Sequence, residues 1–598
     1  MMTGLLTDII SKNLHKICSF IFVLTTLQIV PAQIVPDSAI IQAMQDELKR
    51  NIRELEDTSL AKPFFISYTI ADAEQIQVSG TLGAIVNSDK NRYKDWSARL
   101  LVGSYEITDE NFYSSQPDEP VYQPNIEMPV ENDYIGIRRS LWLTTNNLYY
   151  SAARTYHDKI TQIELKKLDK SSLDVPDFSK VPVVKKYISS RSTTIQKEEL
   201  ETKVRNLSSF FRNYPDISRS YIILNVFTSY VYFTNTEGTD IRFPFNITSL
   251  NVQLETYTSD GERLNRNITY TFNLPDELPS DSKLLADMEM ITENLLSVRE
   301  SVRFDDTYYG PVLLLGEVAA ETMEKFLFAG SDALISSRQT LHSSHQMNMS
   351  FEEPTNDLQS RIGKSIISKD LTITAEPFLK EFNGRKLIGS FEVDAEGVIP
   401  PEKLILVENG SLKTLLNGRT PSKQVPESNG HMRLEYNNRG LTNTIGPGVI
   451  RIVTSNPVPI EELKKQLLNS AREEGLDYAI MIKSLDIDGS DVPFNYYKLD
   501  LKTGEETLLR AVRLKNLTMQ SFHRSAVFSD SIFVHNTVLE QDKVGSNALS
   551  GIPSSFILPY GVLLNDIQLE STRKPLNSLL PVINNPVGKE ESKTENPF

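Results

Sequence analysis

Beyond residue 18 this chain contains no cysteine. No disulfide can staple it, no thiol can attack a substrate and no thiolate can hold a metal. The fold therefore has to be held by packing alone. At 598 residues the chain is long enough for that but too long for one ordinary core, so two or three domains are expected. Hydrophobic residues at 39% and charged residues at 23% describe an ordinary globular composition. The formal net charge is −16. With no basic surplus to displace counterions from phosphates, nucleic acid is not an expected partner.

The N-terminus carries a local signal of its own. Lys12, His15 and Lys16 precede the apolar run Ile17 to Val23, which continues through Leu24, Leu27, Ile29 and Val30, and Val30-Pro31-Ala32 offers a small residue before Gln33. A basic flank, a short apolar stretch and a small-residue exit read as a secretory signal peptide over 1–32. The stretch is too short and too interrupted for a membrane span, and no later segment reaches that length of apolar residues. A secreted or periplasmic protein with no transmembrane segment after cleavage is expected. The cleaved chain would hold 60 basic and 77 acidic residues, a net charge of −17.

Two large halves follow. Residues 36–58 have helical spacing in Ile40, Ile41, Met44, Leu48, Ile52 and Leu55. Phe64 to Ile70, Val78 to Val86 and Ala98 to Ile107 are rich in β-formers. Asp118 to Pro129 reads as a loop, Arg138 to Leu168 as a helix, and Arg219 to Thr234 as a strong strand turning at Thr236-Glu237-Gly238. Asp281 to Val302 is helical, with Ser280 or Asp281 as its cap. After a boundary near 303 the chain is denser in strand patterns and glycine turns, among them Asn383-Gly384, Glu396-Gly397 and Asn409-Gly410. One amphipathic helix, Pro459 to Glu474, interrupts them. The expectation is α+β: an N-terminal α+β domain over 33–302, a β-rich C-terminal domain over 303–575, and a disordered tail over 576–598.

Five stretches, taken in order, carry a resemblance. They are the turn Asn235-Thr236-Glu237-Gly238; the run Tyr309 to Glu317; the turn-rich Gly389 to Gly397 with the hairpin Leu404 to Lys413; Arg419-Thr420-Pro421 with Ser428-Asn429-Gly430-His431; and Asn443-Thr444 with Ser554 to Val562. Over roughly 33–575 the chain resembles the TldD/PmbA family of metallopeptidase-like proteins. Active members of that family carry a His-Glu-x-x-x-His helix and a later Cys. Two such imidazoles can hold a metal while the Glu deprotonates its bound water. Here the same positions read Gly316-Glu317-Val318-Ala319-Ala320-Glu321. Glu317 keeps the catalytic acid. The two metal positions have become Gly316 and Glu321, and the Cys has no counterpart.

The resemblance thus implies a ligand-free member, a non-catalytic subunit expected to need no metal. It would bind unfolded or extended peptides and pair with a metal-bearing TldD-like paralogue, or form a homo-oligomer. Asn429, Gly430 and His431 are candidate substrate-binding residues. Two other readings stand beside this one. The first is an active metallopeptidase with rearranged ligands, where zinc would sit among Glu317, Glu321 and a distant His such as His431. The second is a stand-alone peptide-binding scaffold. His342 and His345 form an H-x-x-H pair without a third ligand nearby, and His523 and His535 read as packing or surface residues in strands. No Gly-x-Ser-x-Gly elbow and no phosphate loop is present.

Overall fold

The computed structural model describes residues 38–113, 127–165, 175–189, 195–329, 333–338, 340–342, 357–437, 440–487, 489, 492–515, 517, 521–522, 526–539, 550–572 and 585–587. The expected leader, the tail apart from 585–587, His345, His523 and most of the loop 118–129 lie outside them. The side chain of His342 is likewise not described.

The first half is one strongly hydrogen-bonded sheet covered by helices. Its strands are β1 (Pro63–Thr81), β2 (Ala84–Val102), β3 (Lys185–Tyr187), β4 (Arg219–Asn235), β5 (Asp240–Tyr257) and β6 (Arg263–Phe272). They lie in the order β2-β1-β4-β5-β3, with β6 also paired to β5. The β-rich runs expected at 64–70, 78–86 and 98–107, the last only as far as Val102, are parts of a single hairpin of two 19-residue strands. Val78 to Val86 straddles its turn at Leu82-Gly83, where φ is 48° and 77°, the mirror-image turn that matches strand twist. The middle of β2 is charged because it is an edge strand facing water, and that hid it from a reading based on apolar runs.

Alternation along β1 shows what each face of the sheet does. Ile66, Tyr68 and Ile70 pack under α1 (Ser38–Glu54) and α2 (Tyr134–Glu164). Ile76 and Val78, on the same face, pack under α3 (Lys197–Ser209) and α4 (Asp281–Glu300). Ser280 caps α4 by accepting from Lys283 N–H. Ala71 and Ala73 point the other way, toward Leu434 and Tyr436 of the second half. Their small side chains let the two halves approach closely.

The second half stacks helices and two sheets. The larger sheet has eight strands, including β7 (Thr307–Leu315), and the smaller has six, including β8 (Leu371–Ala375) and β9 (Val449–Thr454). A helix, α5 (Glu317–Phe328), lies between them, and α6 (Ile460–Glu473) covers the outer face of the larger sheet. Val312 and Leu314 of β7 face α5, whereas Leu313 and Leu315 face α6. Burying each such leucine contributes roughly 1.5–3 kcal/mol. Strand β10 (Tyr478–Ser484) pairs in parallel with β7, and β11 (Ile532–Leu539) and β12 (Ile552–Pro559) close the smaller sheet. The architecture is α+β with a β-rich C-terminal half. Among the described residues no helix is long and apolar enough to cross a membrane.

Candidate functional site

Strand β7 enters α5 through Gly316, which has φ 75° and ψ −137°. Its N–H donates to Tyr560 O at 2.7 Å, and the next amide, Glu317 N–H, donates to Ser484 Oγ at 2.9 Å. A Cβ built on Gly316 would lie 2.3 Å from that same Ser484 Oγ. The left-handed backbone costs an L-residue roughly 1–2 kcal/mol, and the hydroxyl removes the space as well. The position that the resemblance matched to the first imidazole therefore has no room for a side chain on this backbone.

Glu317 opens α5, where the N-terminal end of the helix favours a negative group. It is buried, and Oε1 lies 2.9 Å from Nδ1 of His535 on β11. The N–H is not aimed at that oxygen. The contact is an ion pair rather than a directed hydrogen bond, and neither Glu317 oxygen takes an aligned hydrogen bond among the described residues. The other ring nitrogen, Nε2, is 2.7 Å from Oε2 of Glu324. Glu324 stands two turns after Glu317, on the same helical face, so the imidazole spans the two carboxylates along α5. Its ring leans on Phe556, with centroids 6.0 Å apart. Burial by itself would strip the proton from His535. The charges of Glu317 and Glu324 outweigh it and hold the imidazolium well above the usual histidine range. His535 is thus a buried ionised partner of the motif acid, not the packing or surface residue that its strand-like context suggested.

Zinc of the family type does not fit this donor set. Gly316 offers nothing. Glu321 is partly exposed and paired with Lys325 at 3.0 Å. An imidazolium with a carboxylate at each nitrogen has no lone pair to give. Among the described residues no cluster of three His, Cys, Asp or Glu is arranged to hold a metal ion.

Residues from three of the stretches that carried the resemblance come together elsewhere, between the two halves. Glu237 of the Asn235–Gly238 turn pairs with Arg419. The Arg419 N–H donates to Glu396 Oε2 at 2.8 Å, and Glu396 Oε1 accepts from Arg99 at 2.6 Å. The Arg419 guanidinium stacks 3.9 Å from the Phe178 ring. Asn429 is spent on the fold: its side chain accepts from Asn417 N–H and donates to Leu415 O, at 2.8 and 2.7 Å. Gly430, at φ 72°, sits against Pro400. His431 is buried, its Nδ1 2.9 Å from Asn429 O and its Nε2 without a hydrogen-bond partner among the described residues. Burial lowers it to about 3, helped by the Arg433 charge, while the Asn429 carbonyl opposes the shift. Glu317 and His431 do not meet.

Beside His431 a cleft of about 340 Å³ opens between the halves. One wall is Phe243 to Asn246 of β5. The other includes Ser390 to Ala395 and Met432 to Leu434. Arg433 lines it with its guanidinium 3.8 Å from the face of Phe391. Sequence reading did not single out Glu324 or Arg433 and gave His535 only a packing or surface role. The seven-residue step from Glu317 to Glu324 was the one available sign, because it repeats a helical face.

The sheet-and-helix core is that of a metallopeptidase-like fold. Residues 309–468 match the family model described as the PmbA/TldA metallopeptidase C-terminal domain. Solved structures agree in fold. A proposed modulator of a DNA gyrase from Thermotoga maritima MSB8 superposes with TM-score 0.52 at 12% identity, over 88% of this chain and 100% of that one. TldE from Thermococcus kodakarensis gives 0.53 at 12%, over 89% and 100%. A proposed modulator of DNA gyrase from Bacteroides thetaiotaomicron VPI-5482 gives 0.51 at 10%, over 89% and 98%. No curated protein matches the chain in sequence. By that domain match and by its fold the chain resembles the TldD/PmbA family.

Proposed function

We propose that this protein is an exported, non-catalytic TldD/PmbA-family subunit that holds extended peptides and pairs with a metal-bearing paralogue in proteolysis. One observation carries the reading. The motif acid, Glu317, is held in an ion pair with His535 beside a glycine that leaves no room for the first metal ligand. A carboxylate engaged in that way has no metal-bound water to deprotonate. The similarity in fold to TldE, at 12% identity, supports assembly with a related chain. The basic and apolar N-terminal run supports export.

The test is hydrolysis of unfolded peptides by the purified protein alone, and after mixing with a paralogue that carries His-Glu-x-x-x-His. The expected result is no hydrolysis and no stoichiometric zinc alone, and faster hydrolysis by the mixture than by the paralogue. Peptide cleavage by the protein alone, with zinc that disappears in Glu317→Ala or His535→Ala, would overturn the reading in favour of rearranged ligands. Peptide binding without any association with the paralogue would overturn the pairing and leave a stand-alone scaffold.

A further inference from the structure

We propose that the cleft between the two halves binds the terminal carboxylate of a short, partly apolar peptide through the guanidinium of Arg433. This deepens the peptide-holding reading above and rests on it for the class of ligand. Arg433 is 8% exposed and lines the cleft. Its Nη2 donates to Pro553 O at 3.3 Å, and its Nε is buried with no hydrogen-bond partner among the described residues. It forms no ion pair among the described residues. A guanidinium taken out of water without a carboxylate is costly unless something supplies the opposite charge.

The acids around the cleft are already engaged. Glu392 accepts from Lys186 and Lys380 at 2.9 and 2.7 Å. Glu277 pairs with Lys386 at 2.6 Å, and its other oxygen accepts from the amides of Asn273 and Leu274. Asp394 accepts the N–H groups of Glu396, Val398 and Met432. Burial, with the charge of Glu396 behind it, pushes its carboxyl up to about 8, and although its charge acts on Arg433 it makes no ion pair with that guanidinium among the described residues. Burial also draws Arg433 down to about 9, which still leaves it charged at neutral pH. No described carboxylate pairs directly with this guanidinium, which a ligand can do, and a carboxylate matches the planar fork of arginine with two parallel hydrogen bonds.

The opposite wall favours an extended peptide. Strand β5 pairs with β3 as far as Arg242 and with β6 from Thr248 onward. Between them, over Phe243 to Ile247, no described strand covers its outer edge, and Phe243 to Asn246 face the cleft. This open edge offers carbonyls and the Asn246 N–H to an added chain, Pro244 having no N–H to give, and Phe243, Phe245 and Leu434 supply apolar contact. At about 340 Å³ the cleft is near the lower end of ligand sites, which run to roughly 300–1,000 Å³. It suits a peptide end rather than a long segment.

The experiment is calorimetric titration of the full-length protein with the tripeptide Ala-Leu-Phe, its C-terminal amide and hexanoate, repeated on Arg433→Gln and Arg433→Lys. The expected result is binding of the free acid, with the amide at least about tenfold weaker, as loss of a charge-assisted pair requires. In Arg433→Gln the two should become equal, and Arg433→Lys should keep part of the preference. The acid and amide comparison on the unaltered protein needs no variant to fold. Equal binding of acid and amide would overturn the carboxylate anchor and leave peptide holding intact. Binding of hexanoate with no binding of either peptide would overturn the peptide as occupant. No binding of any of the three would overturn the whole proposal.

Discussion

Arg419 and Glu237, 182 residues apart in the chain, meet in a two-pronged ion pair with Nη1 and Nη2 at 2.7 and 2.8 Å from the two carboxylate oxygens. The arginine is 1% exposed and also donates twice to Ser179 O. Removing one member of a buried pair leaves the other charge stranded, at about 3–5 kcal/mol. Arg419→Ala should lower the unfolding free energy by that order in urea melts, and Arg419→Lys should recover only part of it because the fork is lost. A change within about 0.5 kcal/mol, the range of an ordinary surface substitution, would show that the two halves are held by other contacts.

His535 makes stability depend on pH in a defined direction. Its folded imidazolium is held above the unfolded value, so its contribution is complete below about pH 6.5. That contribution is lost as pH rises through the folded value, at up to about 1.4 kcal/mol per pH unit. Besides Glu317 and Glu324, the Arg385 guanidinium senses the charge of Glu317 nearby. Unfolding curves for the unaltered protein and His535→Gln, taken from pH 6 to 9, should converge toward the alkaline end. A constant difference across that range would mean that the proton on His535 plays no part.

His431 works in the opposite sense. It is neutral in the fold and lowered to about 3, so the unfolded chain binds its proton first. Stability from this group is present above about pH 6.5 and falls away as pH drops toward 3. Replacing it with Gln should flatten the acid limb of the stability profile, read from thermal melts between pH 3.5 and 7. An unchanged acid limb would assign acid sensitivity to the carboxylates alone.

Restoring the family motif letters should not restore a metal site. Gly316→His with Glu321→His should lose stability and bind no stoichiometric zinc, as measured by elemental analysis after dialysis. The simpler Gly316→Ala should cost at least about 1–2 kcal/mol for the left-handed backbone. Removing the Ser484 hydroxyl by Ser484→Ala in the same chain should relieve part of any further loss. Tight zinc in the double-histidine chain would show that the β7–α5 junction reshapes easily.

Much of the fold was legible because its signals are local. The helix expected over Asp281 to Val302, with Ser280 or Asp281 as its cap, is α4, and Ser280 is the cap. The β1–β2 hairpin was misread into pieces, since an edge strand such as β2 needs no apolar run and Leu82 is not a residue that advertises a positive φ. The site was half legible. Glu317 could be found from a motif, and Glu324 from the seven-residue step. His535 could not, because it reaches α5 only after β11 pairs with β12, a contact that no spacing in the sequence encodes. The turn residues Glu237, Glu396 and Arg419 were noticed for their resemblance, yet their physical work lies at the junction of the two halves.

The imidazolium between Glu317 and Glu324 is a cation delivered with the polypeptide itself. A chelator cannot strip it, a competing ion cannot displace it, and no loading step precedes it. The anchor of α5 is complete as soon as the strand bearing His535 is in place.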